Sequence, residues 1–252
     1  MKYNLAFKYR IYPNKDQELL INKTFGCVRF VYNTILYTAN KFYEETGKNK
    51  IITPASLKSE NQFLKEVDSL ALSNAQLNVR RSFTNFFQKR AKFPRFKSKK
   101  NNVKSYTTNC VNNSIRIEEN KYLILPKLKK VKLKYHREIP KDYKIKSVTL
   151  TNSNGNYYVS VLTEFEKEIQ KIPSNDKVIG LDFSMSELFV SSENQRADYP
   201  KYFRMLEKKL KKLQKSLSRK VKFSKNWYKQ KMKISKLHEY IKNCRRDFLH
   251  KL

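Results

Sequence analysis

Lys2-Tyr3-Asn4-Leu5-Ala6-Phe7-Lys8-Tyr9-Arg10-Ile11-Tyr12-Pro13-Asn14 is the stretch whose reading decides the fold. Tyr3, Leu5, Phe7, Tyr9 and Ile11 fall on one face and Lys8 and Arg10 on the other, the period-two pattern of a half-buried strand. Pro13 cannot donate to a ladder and ends the strand, and Asn14 has the side chain of a helix N-cap. The pattern then turns helical from Lys15 to about Arg90. Leu19, Thr24, Cys27, Phe30 and Val31 begin one stripe, and Leu72, Ala75, Val79, Phe83 and Phe86 form another at spacings of three and four. Between them Thr53-Pro54-Ala55-Ser56 reads as a helix start, with proline in the first turn. Strand signals return only after Phe93-Pro94-Arg95-Phe96-Lys97. Residues 146–151 and 156–163 flank Asn152-Ser153-Asn154-Gly155, whose Asn-Gly step marks a hairpin. One strand, a helical insertion and several further strands predict a small β-barrel interrupted by a helical lobe.

The second half reads differently. Residues 166–176 are polar, contain Pro173 and are expected to be a linker. Val178-Ile179-Gly180-Leu181-Asp182-Phe183 reads as a short buried strand, residues 187–192 as its hairpin partner, and a third short strand is expected before Pro200. Two long helices follow, with stripes Phe203, Leu206, Leu210, Leu213, Leu217 and Ile234, Leu237, Ile241, Cys244, Phe248. An antiparallel helical hairpin accounts for them. The fold class is therefore α+β and multidomain.

Composition limits the function classes. The 252 residues carry 55 Lys+Arg against 22 Asp+Glu, a formal charge of +33, yet 39% are hydrophobic and 13% aromatic. This is a chain with packed cores, not a disordered basic tail, and its charge calls for a polyanionic partner. No run of eighteen apolar residues and no leader pattern occurs, so neither a membrane span nor a signal peptide is expected. Cys27, Cys110 and Cys244 stand far apart with no Cys-x-x-Cys pair, which excludes a zinc ribbon within this chain, argues against a disulfide framework and fits a cytoplasmic setting.

Asp182 ends an apolar strand, where a carboxylate would otherwise be excluded. A strand-end Asp before an antiparallel hairpin is how the ribonuclease H-like fold presents its first metal-binding carboxylate, while a turn-capping Asp is the alternative. Tyr12-Pro13-Asn14, Gly26-Cys27-Val28-Arg29-Phe30-Val31-Tyr32-Asn33, Phe63-Leu64-Lys65-Glu66-Val67-Asp68-Ser69, Asn85-Phe86-Phe87, Phe93-Pro94-Arg95-Phe96-Lys97, Ser105-Tyr106-Thr107-Thr108, Gly180-Leu181-Asp182-Phe183-Ser184 and Arg246-Asp247-Phe248-Leu249-His250-Lys251-Leu252 follow one another in the order seen in the TnpB family. These are transposon-encoded RNA-guided DNA nucleases related to type V CRISPR effectors, and the resemblance runs along essentially the whole chain.

The resemblance implies a wedge β-barrel at 1–12 and 95–172, a helical recognition lobe at 14–92, and the N-terminal part of a RuvC nuclease domain at 176–252. It implies a guide RNA from the transposon end and double-stranded target DNA beside a short motif as partners, no membrane, and a nucleoid-associated place in a prokaryotic-type cell. In the family, two more RuvC carboxylates and a four-cysteine zinc finger follow the position of Leu252. Asp182 is thus the only recognisable catalytic and metal-binding residue, with Mg expected only for the complete site, and independent cleavage is not expected. A nuclease-inactive RNA-guided repressor and a decayed transposon fragment are the alternatives. A simple helix-turn-helix regulator would leave the strands unexplained.

By the same resemblance, Ser56, Lys58, Ser69, Asn74 and Asn112 are expected at the motif beside the target. Asn78 and Arg81 join them on the polar face of the second helical stripe, where amides suit base edges and guanidiniums suit phosphates. Lys8, Arg10, Arg95 and Lys97 are expected to meet RNA backbone. Phe93 and Phe96 read as core at the lobe-barrel junction, with RNA stacking as the other reading. Residues 201–252 carry 19 Lys+Arg against 3 Asp+Glu, so phosphate contact is expected of their lysines, with Lys208 and Lys212 the chosen pair. Trp227 is expected to pack the turn of the helical hairpin.

Overall fold

The computed structural model describes residues 1–100, 104–168, 178–183 and 187–252, and divides into two units, Met1–Ile169 and Gln170–Leu252. In the first, β1 (Lys2–Tyr12) lies in the middle of a seven-stranded antiparallel sheet. Its partners are β2 (Lys104–Asn109), β3 (Arg116–Glu118), β4 (Tyr122–Leu125), β5 (Lys129–Lys134), β6 (Lys144–Ser153) and β7 (Asn156–Glu166), in the order β2-β6-β7-β1-β5-β4-β3. β1 pairs with β7 from Lys2↔Glu166 to Ile11↔Tyr157 and with β5 from Arg10↔Lys134 to Tyr12↔Lys132. The alternation holds: Phe7, Tyr9 and Ile11 are buried while Lys8 and Arg10 are exposed. The expected barrel is a curled half-barrel, with β2 and β3 as its edges. Helices pack against β2, the strand at one of these edges.

The helices of this unit are α1 (Lys15–Thr46), α2 (Pro54–Glu60) and α3 (Ser69–Phe87), with a 3-10 turn at Gln62–Lys65. Asn14 caps α1 in a reciprocal box: its Oδ1 accepts from the Gln17 N–H at 2.8 Å, and Gln17 Oε1 accepts from the Asn14 N–H at 3.0 Å. The Gln17 amide also donates to the carbonyls of Leu128 and Lys130, at 3.1 and 2.9 Å, tying the helix start to β5. Gly47, at φ 66°, ends α1 in the left-handed conformation. Asn154 and Gly155, at φ 51° and 80°, make the β6–β7 turn that the Asn-Gly step predicts.

Sheet and helices share one core. Val31, Ile35, Leu36, Leu72, Ala75 and Val79 pack in the same cluster as Tyr9, Ile11, Leu123, Val131, Leu150, Val159 and Val161. Leu19, expected in the α1 stripe, is 73% exposed, and the buried contact comes from Ile21 two residues on. At the other end of the insertion, Phe83 and Phe86 are only half-buried.

In the second unit β8 (Leu181–Asp182), β9 (Phe189–Ser191) and β10 (Arg196–Ala197) form an antiparallel sheet in the order β10-β9-β8. α4 (Tyr202–Ser218) and α5 (Lys225–Lys251) form the expected hairpin around Leu210, Leu237 and Ile241. Ser224 caps α5, and the buried Gln230 amide donates to the Leu213 carbonyl at 3.0 Å, joining the helices by a polar contact as well. Trp227 packs against Phe223 in the turn, with ring centroids 5.6 Å apart, as expected. The linker expected at 166–176 falls largely outside the described residues, as does Ser184.

Candidate nucleic-acid interface

The buried carboxylate of Asp68 organises the first patch. Its Oδ1 accepts from the Leu70 N–H at 3.0 Å, capping α3, and its Oδ2 accepts from the buried Thr108 hydroxyl on β2. Burial first, and Asp68 second, push the neighbouring Tyr106 phenol far above its ordinary range. This network fixes the start of α3 against β2. Around it, Lys58 Nζ donates to Ser69 Oγ at 2.8 Å, and the Asn74 amide donates to the Leu70 carbonyl at 2.9 Å and to Asn109 Oδ1 at 3.4 Å. Asn112 lies three residues beyond Asn109, exposed and at φ 48° in the turn after β2. The structure therefore brings together Lys58, Ser69 and Asn74, and adds Asn109, which the sequence reading missed. Ser56 instead spends its hydroxyl on the Thr53 carbonyl at 2.8 Å, within the first turn of α2. Asn78 and Arg81 are exposed farther along α3.

The outer face of the half-barrel is the second patch. Lys8 Nζ stands 4.7 Å over the Tyr158 ring, and Arg10 donates to Asn156 Oδ1 at 2.8 Å while its guanidinium lies 5.2 Å from the Tyr12 ring centroid. On β5, Val131 and Leu133 point inward, so Lys130, Lys132 and Lys134 point outward. Register puts Lys134 opposite Arg10 and Lys132 opposite Tyr12. Lys130 is held by Glu119 at 2.7 Å and lies 4.3 Å over the Tyr122 ring. On the other flank, Thr107 and Thr149 pair their hydroxyls at 2.8 Å. The surface thus grades from hydroxyls to cations beside tyrosine rings, which suits phosphates and unpaired bases. The signal for β5 was legible in Lys129-Lys130-Val131-Lys132-Leu133-Lys134, which alternates with the period of a strand.

Other expected residues need correction. Phe93 and Phe96 are not core: they are 47% and 57% exposed, and the residue buried between them is Pro94. Phe93 packs edge-on against Phe83 and Phe86 at the rim of the helical layer, with centroids 5.9 and 5.2 Å away. Arg95 is exposed. The strand around Asp182 is not buried either, with Val178 91% and Phe183 83% exposed. Its pairing spans two residues, and the apolar stripes of α4 and α5 are used on each other. No group of three or more His, Cys, Asp or Glu is gathered anywhere among the described residues. Asp182 is itself exposed, so these residues do not fit a two-metal site. On α4, Lys208 and Lys212 are exposed, whereas Lys211 pairs with Glu207 at 2.8 Å.

This basic chain of mixed helices and strands matches a transposase family model. Residues 1–48 match the family described as "Helix-turn-helix domain" and residues 159–252 the family described as "Probable transposase", both of the OrfB IS605 kind. The first match covers one strand and one long helix in this fold, β1 and α1. A protein of Escherichia coli (strain K12) named "Putative RNA-guided DNA endonuclease InsQ" is 36% identical over 263 residues, covering 100% of this chain and 63% of that protein. One of Streptomyces pristinaespiralis, named "Putative RNA-guided DNA endonuclease", is 33% identical over 256 residues, covering 98% of this chain and 62% of that protein. The chain therefore spans less than two thirds of the length of either relative. Among solved structures, a chain of the Cas12f1-sgRNA-target DNA complex matches over 99% of this chain and 68% of its own, at 12% identity and a TM-score of 0.32. The chain belongs to the TnpB family of OrfB-type transposon proteins. No helix among the described residues is long and apolar enough to cross a membrane.

Proposed function

We propose that this chain binds a guide RNA on the outer face of its half-barrel and, directed by that RNA, holds double-stranded DNA beside a short motif. The observation that carries the reading is the alignment of Lys8, Arg10, Lys132 and Lys134 with Tyr12 and Tyr158 on adjacent strands. Cations there neutralise phosphates, and the rings offer stacking surfaces. The polar patch at the start of α3 (Lys58, Ser69, Asn74, Asn109) has the short donors and acceptors that base edges in a groove require. Base pairing then carries sequence choice, and the protein reads shape and the short motif. The names of the two bacterial relatives support RNA as the guide and DNA as the target. A nucleoid-associated location and an RNA drawn from the transposon end belong to the same proposal.

A RuvC-type site needs several carboxylates around two cations, and Asp182 stands without them among the described residues. The second reading is RNA-guided occupancy of DNA without cutting. The test is to sequence the RNA that stays on the purified protein after a high-salt wash, with the native downstream DNA present during expression. One RNA species ending in variable sequence supports guide binding. A random mixture of cellular RNA refutes it.

A further inference from the structure

Two blocks of the sequence, residues 26–33 and 93–97, meet in the fold, and the function proposed above uses no residue of either. The Asn33 side chain clamps the backbone of Lys97 from both sides: its amide donates to the Lys97 carbonyl at 3.0 Å, and its Oδ1 accepts from the Lys97 N–H at 2.8 Å. Tyr32, the preceding residue on α1, places its ring 4.1 Å from Lys97 Nζ. The lysine is thus fixed at both ends, by its backbone and by its ammonium. Desolvation by the surrounding protein lowers its affinity for its proton, although part of the side chain remains open to solvent.

Lys97 shares a cavity of about 180 Å³ with Arg29, Ser98, Lys104 and Ser105, with Phe25 and Val28 completing the wall. Among the described residues three cations and two hydroxyls face this space, and no carboxylate lines it. Among the described residues none of the three cations is paired with an acid. Like charges gathered without a counter-ion repel one another, and the repulsion grows where water is partly excluded. Such an arrangement is stable when an anion completes it. A guanidinium fork, two ammonium groups and two hydroxyls match a tetrahedral oxyanion with several acceptor oxygens better than a planar carboxylate.

We propose that this cavity is a phosphate-binding site, in which Arg29, Lys97 and Lys104 hold one phosphate group and Ser98 and Ser105 donate to its oxygens. Asn33 is a positioning residue that acts through Lys97. The source of the phosphate, a phosphodiester of bound RNA, rests on the function proposed above. The site itself does not, because inorganic phosphate offers the same oxygens.

The test measures acylation of Lys97 in the full-length protein freed of nucleic acid, by peptide mass spectrometry, with the exposed Lys15 as internal reference. Three conditions are compared: no addition, inorganic phosphate, and a single-stranded RNA whose binding is followed separately. Phosphate should protect Lys97 and not Lys15, and RNA should do the same at far lower concentration. Arg29→Gln and, as a second variant at the start of β2, Lys104→Gln should each weaken phosphate protection by about tenfold or more, the effect of losing one charge-assisted contact. Protection by inorganic phosphate alone, with RNA bound but Lys97 still reactive, upholds the site and overturns the phosphodiester source. If neither ligand protects Lys97 while RNA binds normally, the phosphate site is wrong and the nucleic-acid function stands. Failure of RNA to bind, with phosphate still protecting, refutes the function and leaves the site.

Discussion

Replacing Asp68 with alanine tests how the α3 patch is held in place. The carboxylate is 8% exposed and serves two structures at once, the N-terminus of a 19-residue helix and the buried hydroxyl of Thr108, itself 1% exposed. Losing an N-cap costs about 1 kcal/mol. Leaving a buried hydroxyl without its acceptor costs about 1–3 kcal/mol more. The sum, about 2–4 kcal/mol, corresponds to a Tm lower by roughly 5–15 °C in a unit of this size. Circular dichroism melting of Asp68→Ala against the parent measures it. Asp68→Asn keeps the capping oxygen and presents an amide that can donate to the Thr108 oxygen, so it should recover most of the loss. The helix start also carries Ser69 and Asn74, so DNA affinity should fall more in Asp68→Ala than in Asp68→Asn. A loss below about 0.5 kcal/mol for alanine, the smallest penalty expected for the cap alone, would refute the reasoning. Equal losses for the two variants would show that the negative charge, and not the hydrogen-bond geometry, is what matters.

Gly155→Val should destabilise the first unit by about 1–2 kcal/mol by denaturant unfolding. Nothing lies within 4 Å of an added Cβ, so the cost is that of holding a side chain at φ 80° in the turn and not of a clash. Tyr9, which donates to the Arg137 carbonyl at 2.6 Å, and Tyr106 both have phenols raised above the ordinary value of 10.0, first by burial. Their folded values exceed the unfolded one, so the stability they contribute is intact below about pH 10 and declines as pH rises beyond it. An absorbance titration should show these tyrosines ionising only as the chain unfolds, and normal titration of all tyrosines in a still-folded chain would contradict the burial argument. Leu237→Ala removes one of three buried side chains between α4 and α5, at about 2–5 kcal/mol. Limited proteolysis in the turn at 219–224 should become markedly faster, and an unchanged rate would mean that the helices are held by something else. Lys8→Gln with Arg10→Gln should lower the salt slope of single-stranded RNA binding by about 1.4, the share of two phosphate contacts. An unchanged slope would move the RNA off this face.

Local features of the fold were legible because the physics behind them is local. The Asn14 cap, the Pro13 stop, the Pro54 start and the Asn154-Gly155 turn depend on residues a few positions apart, and each stands where the sequence places it. The three-strand-plus-hairpin order of the second unit was equally readable from its periods. Exposure was less so. An apolar run such as residues 178–183 says that a strand is suited to burial, not that a layer exists to bury it. Phe93 and Phe96 likewise carry core side chains to the rim of the helical layer, where only Pro94 is covered.

The sequence by itself determined the period of each element, the charge that demands a polyanion, and the order of blocks that marks the family. All of these are properties of neighbours along the chain. Only the tertiary structure decided that the sheet stays open under a helical cover, that Asp68 grips Thr108 across 40 residues, and that Asn33 takes hold of Lys97 across 64. Such contacts depend on which surfaces the packed core leaves facing one another. A one-dimensional pattern does not contain that information, because the same alternation is compatible with many pairings until the strands and helices compete for a single core.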